Sequence, residues 1–160
     1  AGTVDASVVR RGVVQIGKGT TVGPNTVIYG PVNIGSNCNI GPNTVIMPDT
    51  SIGDRVVLEP FTYVADSLIM SDVTVGSHSR IVSAVLGQGC ILADHITTTP
   101  SASLIEVGGR VQKEEFGAVL GEGVRAAPFT TFKNCIVGNN VSIVKGRTLA
   151  GRIEDGTRVM

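Results

Sequence analysis

The sequence predicts an all-β fold, a parallel β-helix of about seven three-sided coils, because residues 16–64 carry an unbroken six-residue repeat. Every sixth residue is aliphatic, namely Ile16, Val22, Ile28, Ile34, Ile40, Ile46, Ile52, Leu58 and Val64. The residue two positions earlier is small or β-branched, as at Thr20, Thr26, Val32, Cys38, Thr44, Thr50, Val56 and Thr62. The residue three positions later is often glycine, asparagine or aspartate, as at Gly19, Asn25, Asn37, Asn43 and Asp49.

These three positions describe a short strand followed by a corner. A period of six matches neither the 3.6 residues of a helical turn nor the alternation of an isolated strand. Glycine, asparagine and aspartate tolerate the left-handed backbone conformation that a sharp corner requires. We therefore expect Ile40 and Ile52 to point inward together with Cys38 and Thr50.

Composition agrees with a single domain that spans residues 1–160 and has a narrow core. Aromatic residues make up 4% of the chain, tryptophan is absent, and 21 glycines are available for corners. Thirteen basic and thirteen acidic residues balance, which argues against binding to nucleic acid or to an anionic membrane. No signal peptide or apolar run of about 20 residues is present. Because the chain starts at Ala1 and is in repeat register by Val4, we expect that an upstream part has been removed.

The three cysteines, Cys38, Cys90 and Cys135, all lie two residues before an aliphatic position. This is the inward small-residue position, so we interpret them as core residues. An odd number of buried thiols suits a reducing compartment, and we expect a cytoplasmic protein. No cysteine or histidine pair has the spacing of metal ligands, so no metal site is expected.

In chain order, residues 1–15 are predicted to form the first coil, although their six-residue repeat is less regular and is interrupted at Arg10. Beyond Val64 the step shortens from six to five residues three times, in 64–69, 81–86 and 132–137. Each step deletes one residue at a corner. The glycine triplets in 17–19, 87–89 and 121–123 coincide with corners and lack a following helix, so we interpret them as corners rather than phosphate-binding loops.

One segment, residues 97–116, has no six-residue repeat. Within it, apolar and polar residues flank Gly108 and Gly109, which predicts a protruding β-hairpin with a two-glycine turn. The repeat resumes at Leu120 and continues to Leu149. The polar tail 151–160 is expected to cap the open end of the helix.

The runs GPVNIGSNCNIGPN (30–43), PDTSIGD (48–54) and DSLIM (66–70) resemble the C-terminal β-helix of sugar-1-phosphate nucleotidylyltransferases. The similarity is to the archaeal type and to the bifunctional UDP-N-acetylglucosamine uridylyltransferase/acetyltransferase, and it covers most of the chain. It implies a left-handed coil, an exception to the usual right-handed crossover. It also implies a homotrimer with sites between neighbouring prisms, and an N-terminal nucleotidyltransferase domain upstream.

In that family the β-helix can transfer an acetyl group from acetyl-CoA to the amine of a hexosamine phosphate. Such transfer requires a general base, cations for the phosphate and donors for the thioester oxygen. The positions that correspond to the family's phosphate-binding Arg and Lys, its base His, its Tyr and its sugar-binding Asn hold Met47, Ala65, Ser77, Arg80, and Thr99 or Pro100. Nearly the whole set is therefore absent.

Two histidines are the remaining candidates for catalysis. His78 lies one position after the place of the family's base, and His95 occupies the same repeat position one coil later. Both are also corner positions, where histidine is enriched in left-handed conformations, and we favour this structural interpretation. The candidate ligands of a substrate phosphate or of CoA are Arg80, Lys133, Lys145 and Arg147, although isolated surface cations are most often only solvated.

Two functions therefore follow from the sequence. The first is a trimerisation and regulatory module of a sugar-1-phosphate nucleotidylyltransferase, with a degenerate acetyltransferase site and no cofactor. The second is an N-acetyltransferase that uses acetyl-CoA and acts on a hexosamine phosphate or nucleotide sugar. The missing polar residues favour the first.

Overall fold

The computed structural model describes residues 2–160, and it describes the side chains of all of these except 102–107 and 112–114. Over this range the chain is an all-β parallel solenoid of about eight turns without a helix. In chain order the strands are β1 (Val9–Arg11), β2 (Val14–Ile16), β3 (Thr21–Val22), β4 (Val27–Tyr29), β5 (Val32–Ile34), β6 (Asn39–Ile40), β7 (Val45–Ile46), β8 (Thr50–Ile52), β9 (Val57–Leu58), β10 (Tyr63–Ala65), β11 (Leu68–Ile69), β12 (Thr74–Val75), β13 (Arg80–Val82), β14 (Ala84–Leu86), β15 (Ile91–Leu92), β16 (Thr97–Thr99), β17 (Ser101–Val107), β18 (Arg110–Phe116), β19 (Ala118–Leu120), β20 (Arg125–Ala126), β21 (Thr131–Val137), β22 (Ser142–Ile143), β23 (Thr148–Ile153) and β24 (Arg158–Val159).

The strands stack in parallel on three faces. Face 1 contains β1, β4, β7, β10, β13 and β16, and face 2 contains β2, β5, β8, β11, β14 and β19. The long strands β21 and β23 bend from face 1 onto face 2 and join these faces into one sheet. Face 3 is the sheet of β3, β6, β9, β12, β15, β20, β22 and β24. The fold predicted from the repeat is confirmed, and the first and last coils bring the total to about eight.

Three corners connect the faces, and left-handed residues occupy them. The first corner, between faces 1 and 2, has positive φ at Gly12, Asp49, Asp66, Ser83, Asn134 and Gly151. The second, between faces 2 and 3, has positive φ at Gly19, Asn37, Arg55, Asp72, Gly89, Gly123, Asn140 and Gly156. The third, between faces 3 and 1, has it at Asn25, Asn43, Phe61, His78, His95 and Phe129. The corner positions expected from the sequence are therefore confirmed.

The core is a column of stacked aliphatic side chains. Ile40, Ile52, Cys38 and Thr50 are all buried, as the repeat predicts. The hydroxyls of buried Thr44 and Thr62 donate to corner carbonyls at 2.9 and 2.7 Å, whereas the buried Thr50 hydroxyl has no hydrogen-bond partner among the described residues. Such bonds remove the penalty of placing a hydroxyl in an apolar interior.

The coils shorten along the chain, because the first corner loses residues. Paired strands lie eighteen residues apart in the early coils (Val27 with Val45) and seventeen in the middle (Thr74 with Ile91). At each predicted five-residue step, a single left-handed residue makes the corner. The inward side chain behind this corner becomes smaller from Val32 and Thr50 to Ser67, Ala84 and Ala118, and the last shortened corner has the small residue Cys135 at this position. The core therefore stays filled as the corner tightens.

The predicted hairpin is present, but it begins later than expected. Strands β17 and β18 pair antiparallel from Ser101 with Phe116 to Val107 with Arg110, around the turn at Gly108 and Gly109. Residues 97–99 belong to the solenoid rather than the hairpin, because β16 pairs with β13 and β21. The repeat extends beyond its expected end at Leu149, because residues 151–153 and 158–159 form strands of the last coil, in which Ile153 and Val159 continue the aliphatic columns.

No helix in the part of the chain that the structure describes has the length and apolarity needed to cross a bilayer.

Candidate functional site: an aromatic corner and its groove

Four rings stack along the third corner of the solenoid. Phe61, His78, His95 and Phe129, here called the aromatic corner, have successive ring-centroid distances of 5.1, 5.1 and 4.5 Å. The planes are inclined by 15°, 11° and 7°, so the rings lie nearly parallel. All four residues are exposed, and because their faces cover one another, the ring edges point to solvent.

The coil geometry places these rings above one another. Each has a left-handed backbone, with φ of 63°, 58°, 59° and 63° in chain order. Neighbouring corners are also joined through the backbone, since the His95 amide donates to the Ser77 carbonyl at 2.9 Å. The structural interpretation of His78 and His95 as left-handed corner residues is therefore confirmed.

The two imidazoles have ring contacts but no polar partner. Among the side chains that the structure describes, neither ring nitrogen of His78 or His95 makes a hydrogen bond. A catalytic histidine is normally held by an acceptor that fixes its tautomer and orientation. Within the described part of the chain, the rings are held by stacking.

A groove of about 640 Å³ runs along face 3 beside the aromatic corner. Its floor is made by small residues, Gly76 and Ala93, and Ile91 adds an apolar wall. Two carboxylates, Glu59 and Asp94, also line it. Asp94 accepts a hydrogen bond from the Ser77 amide at 2.9 Å through one oxygen, which leaves the second oxygen available. The groove therefore offers acceptors on a mostly apolar surface.

The four candidate phosphate-binding cations do not converge on the histidines. The Arg80 guanidinium lies 4.6 Å from the centre of the Tyr63 ring on face 1. Lys133 is exposed on the same face, two coils further along. Lys145 and Arg147 are exposed between faces 3 and 1 in the last part of the stack. Sequence reasoning thus identified cations that the fold distributes along the surface.

The cysteines are structural. All three are free and buried, and burial raises the pKa of the Cys38 and Cys90 thiols and that of Cys135 to about 11. A thiol with a raised pKa is a poor nucleophile at neutral pH. Over the described residues no cluster of histidine, cysteine and acidic side chains is arranged to hold a metal ion.

Sequence reasoning missed Phe61 and Phe129 as members of the site. The signal was their spacing: 17 residues separate Phe61 from His78 and His78 from His95, and 34 separate His95 from Phe129. Seventeen residues is one coil, and the hairpin insertion supplies the second seventeen. A search at the coil period would have grouped the four rings.

The chain was then compared with known proteins. The family model of the GMPPB C-terminal domain matches residues 28–153. No curated protein matches the chain. Among solved structures, AntD, an N-acyltransferase from Bacillus cereus in complex with dTDP and 3-hydroxybutyryl-CoA, is 18% identical with a TM-score of 0.58, over 72% of this chain and 81% of AntD.

Two further solved structures match a larger share of this chain. UDP-N-acetylglucosamine acyltransferase from Campylobacter jejuni is 12% identical with a TM-score of 0.49, over 90% of this chain and 68% of its own. PerB from Caulobacter crescentus, in complex with CoA and GDP-perosamine, is 18% identical with a TM-score of 0.44, over 98% of this chain and 52% of its own. The chain thus spans about half the length of PerB. At 18% identity, the likeness to AntD shows a common fold.

Proposed function

Because the chain belongs to the family of GMPPB C-terminal domains, the β-helix of a sugar nucleotidyltransferase, we propose that it is the homotrimeric assembly and regulatory module of a sugar-1-phosphate nucleotidylyltransferase. In this module the acetyltransferase site of related domains has degenerated. Its place in nucleotide-sugar synthesis and its free, buried cysteines suit the cytoplasm.

The observation that carries the proposal is the state of the two histidines. His78 and His95 are the only histidines in the chain, so they are the only imidazoles available as a general base. Both rings are stacked between neighbours, and among the described side chains neither has an acceptor that would orient it. The positions of the family's phosphate-binding cations hold Met47 and Ala65 on face 1. The described residues therefore form no organised acid–base unit at the histidines and no phosphate site beside them.

Assembly is supported by apolar side chains on the outside of the prism. Val45 and Tyr63 are neighbours on face 1, and Val57 lies on face 3. Exposed rings add to this surface, since Phe61 is 53% and Phe129 66% exposed. Contiguous apolar surface of this kind is usually covered by a partner.

A second candidate function is favoured by the groove. A general base must lie within hydrogen-bond reach of the amine that it deprotonates. His78 lines the groove of about 640 Å³ together with Glu59 and Asp94. In this alternative the chain is an acetyl-CoA-dependent N-acetyltransferase of a hexosamine phosphate or nucleotide sugar, with His78 or His95 as base. Arg80, Lys133, Lys145 and Arg147 would then contact phosphate groups.

A thiol-release assay with acetyl-CoA and glucosamine-1-phosphate or galactosamine-1-phosphate separates the two functions. We expect no useful turnover, since loss of a general base alone typically reduces the rate roughly 10²–10⁴-fold. Robust turnover by the wild-type chain that falls in His78→Ala more than in His95→Ala would replace the module by the acetyltransferase. Light scattering at micromolar concentration tests the module itself, because a monomer would contradict the proposed trimer.

A further inference from the structure

We infer that the aromatic corner of one copy inserts into the face 3 groove of the next copy, so that three copies close into a ring. The inference rests on the proposed trimeric module and identifies its contact surface. It also gives His78 and His95 a role in assembly.

The first observation is the backbone conformation of the ring-bearing residues. Phe61, His78, His95 and Phe129 all have φ near +60°, a region that histidine tolerates but that phenylalanine seldom occupies. At the same corner in earlier coils the chain uses Asn25 and Asn43, which adopt this conformation with less strain. The two outer corners of the stack therefore carry phenylalanine although asparagine would fold more easily. Strain retained in a cluster points to a role beyond folding.

The second observation is the match between ridge and groove. The rings form a ridge over four coils, and the groove with Gly76, Ala93 and Ile91 lies over the first three of these, bordered by Phe61 and His78. The ring spacing of 4.5–5.1 Å repeats with the coils. A partner surface must have the same axial repeat to accept every ring, and stacked strands repeat at about 4.8 Å. A second solenoid at the same height provides this repeat, and the simplest is a second copy of the chain.

The third observation is complementarity of polar groups. The imidazole edges of His78 and His95 point to solvent, and neither ring has a hydrogen-bond partner among the side chains described in the single chain. The groove offers the carboxylates of Glu59 and Asp94 at the same level of the stack. An imidazole N–H that enters the groove of the next copy can donate to one of these carboxylates. Charge-assisted bonds of this type give an interface its register.

Symmetry permits closure. In a three-sided prism, a corner and the centre of an adjoining face lie about 60° apart around the axis. In a ring of three, each copy meets its two neighbours in directions that also differ by about 60°, so a head-to-tail contact between these surfaces closes. A contact between the aromatic corner and face 2, which lies opposite, would give an open row instead. The exposed Leu68 and Ile136 on face 2 are therefore predicted to lie outside the interface.

The test compares two interface variants with a control by sedimentation velocity over a concentration series. Phe61→Asn/Phe129→Asn removes the outer rings and uses the residue that the chain itself places at this corner. Ala93→Leu fills the groove from the other side of the contact. We expect a trimer for the wild type and at least about a hundredfold weaker association for each variant. The control Leu68→Ser/Ile136→Ser removes apolar side chains of similar exposure from face 2 and should remain trimeric.

The outcomes distinguish this inference from the proposed function. A monomeric wild type would contradict the trimeric module itself. A trimeric wild type that neither interface variant weakens, or that only the face 2 control weakens, would overturn the assignment of the contact while the module stands.

A second measurement does not depend on folding of the variants. Diethyl pyrocarbonate modifies accessible histidine rings, and mass spectrometry locates the adducts. We expect His78 and His95 of the wild type to react slowly at concentrations that favour the trimer and faster after dilution to monomer. Equal reactivity in both states would overturn the inference. Protection that follows added acetyl-CoA or hexosamine phosphate rather than protein concentration would assign the groove to a small ligand and overturn it as well.

Discussion

The substitution Ile40→Ala tests the inward register of the repeat most directly. Ile40 is 0% exposed on face 3, and it stacks between Val22 in the preceding coil and Leu58 in the following one. Backbone hydrogen bonds hold these three strands at a fixed separation, so the neighbours cannot move into the space that the substitution creates. We therefore expect a cavity to persist.

The expected loss of stability follows from two terms. Ile→Ala removes three carbon atoms, and at about 0.8 kcal/mol per buried methylene the lost transfer free energy is about 2.4 kcal/mol. A residual cavity of about 40 Å³ adds about 1 kcal/mol, at about 24 cal/mol per Å³. The sum of about 3.4 kcal/mol lies within the range of about 2–5 kcal/mol observed for such truncations.

Urea-induced unfolding, followed by circular dichroism at one fixed protein concentration, measures this loss. Ile136→Ala is the matched control. Ile136 is 43% exposed on face 2, so this substitution removes the same three carbon atoms outside the core. The control should alter the free energy of unfolding by no more than about 0.5 kcal/mol. A loss below about 1 kcal/mol for Ile40→Ala, or equal losses for the two variants, would refute the register.

Three further outcomes are expected. Ile40→Asp should prevent folding, because it buries an unpaired charge; a folded variant that melts like the wild type would contradict this. Deletion of residues 100–116 should leave a folded solenoid, with Gly117 as the single corner residue in the manner of Asn134; aggregation or loss of the β-sheet circular dichroism signal would show that the hairpin is required. Burial raises the pKa of the Cys135 thiol from about 9 to about 11. The unfolded chain therefore ionises first, and the free energy of unfolding should fall as the pH rises from about 9 towards 11. Urea titrations across this range should show a shallower fall for Cys135→Ala.

The fold was predictable because one feature of the repeat is physically strict. Each solenoid coil requires an aliphatic residue at its inward position and, at its corner, a residue that adopts the left-handed conformation. Ile40 and Asn43 could therefore be assigned to an inward position and to a corner from the sequence alone. The five-residue steps could also be recognised from the sequence. At Asp66 the corner is one residue shorter than in the six-residue steps, and the inward positions before and after it keep their aliphatic or small residues. The last coil was not recognised in the C-terminal tail, because charged residues surround Ile153 and Val159, which occupy its inward positions.

The aromatic corner was not predictable from the six-residue repeat. That repeat describes neighbours along the chain, whereas ring stacking depends on neighbours one coil away. The distance in sequence between such neighbours changes from eighteen to seventeen residues, and the hairpin then doubles it between His95 and Phe129. A single residue of difference moves a ring off the corner, so the six-residue repeat does not reveal the stacking, whereas a search at the coil period of seventeen residues does.

The gradual shortening of the coils also specifies the order in which they stack. Solenoids with identical coils can slip by one turn and still pair every strand, which is a common route to misassembly in repeat proteins. In this chain the coils differ in length. A shift of one turn would place a larger inward side chain, such as Val32, at a level where the tight corner has room only for Ala84 or Ala118. The displaced stack would suffer overcrowding at some levels and voids at others. Unequal coils thus act against alternative registers during folding and leave the native alignment as the one in which every layer is filled.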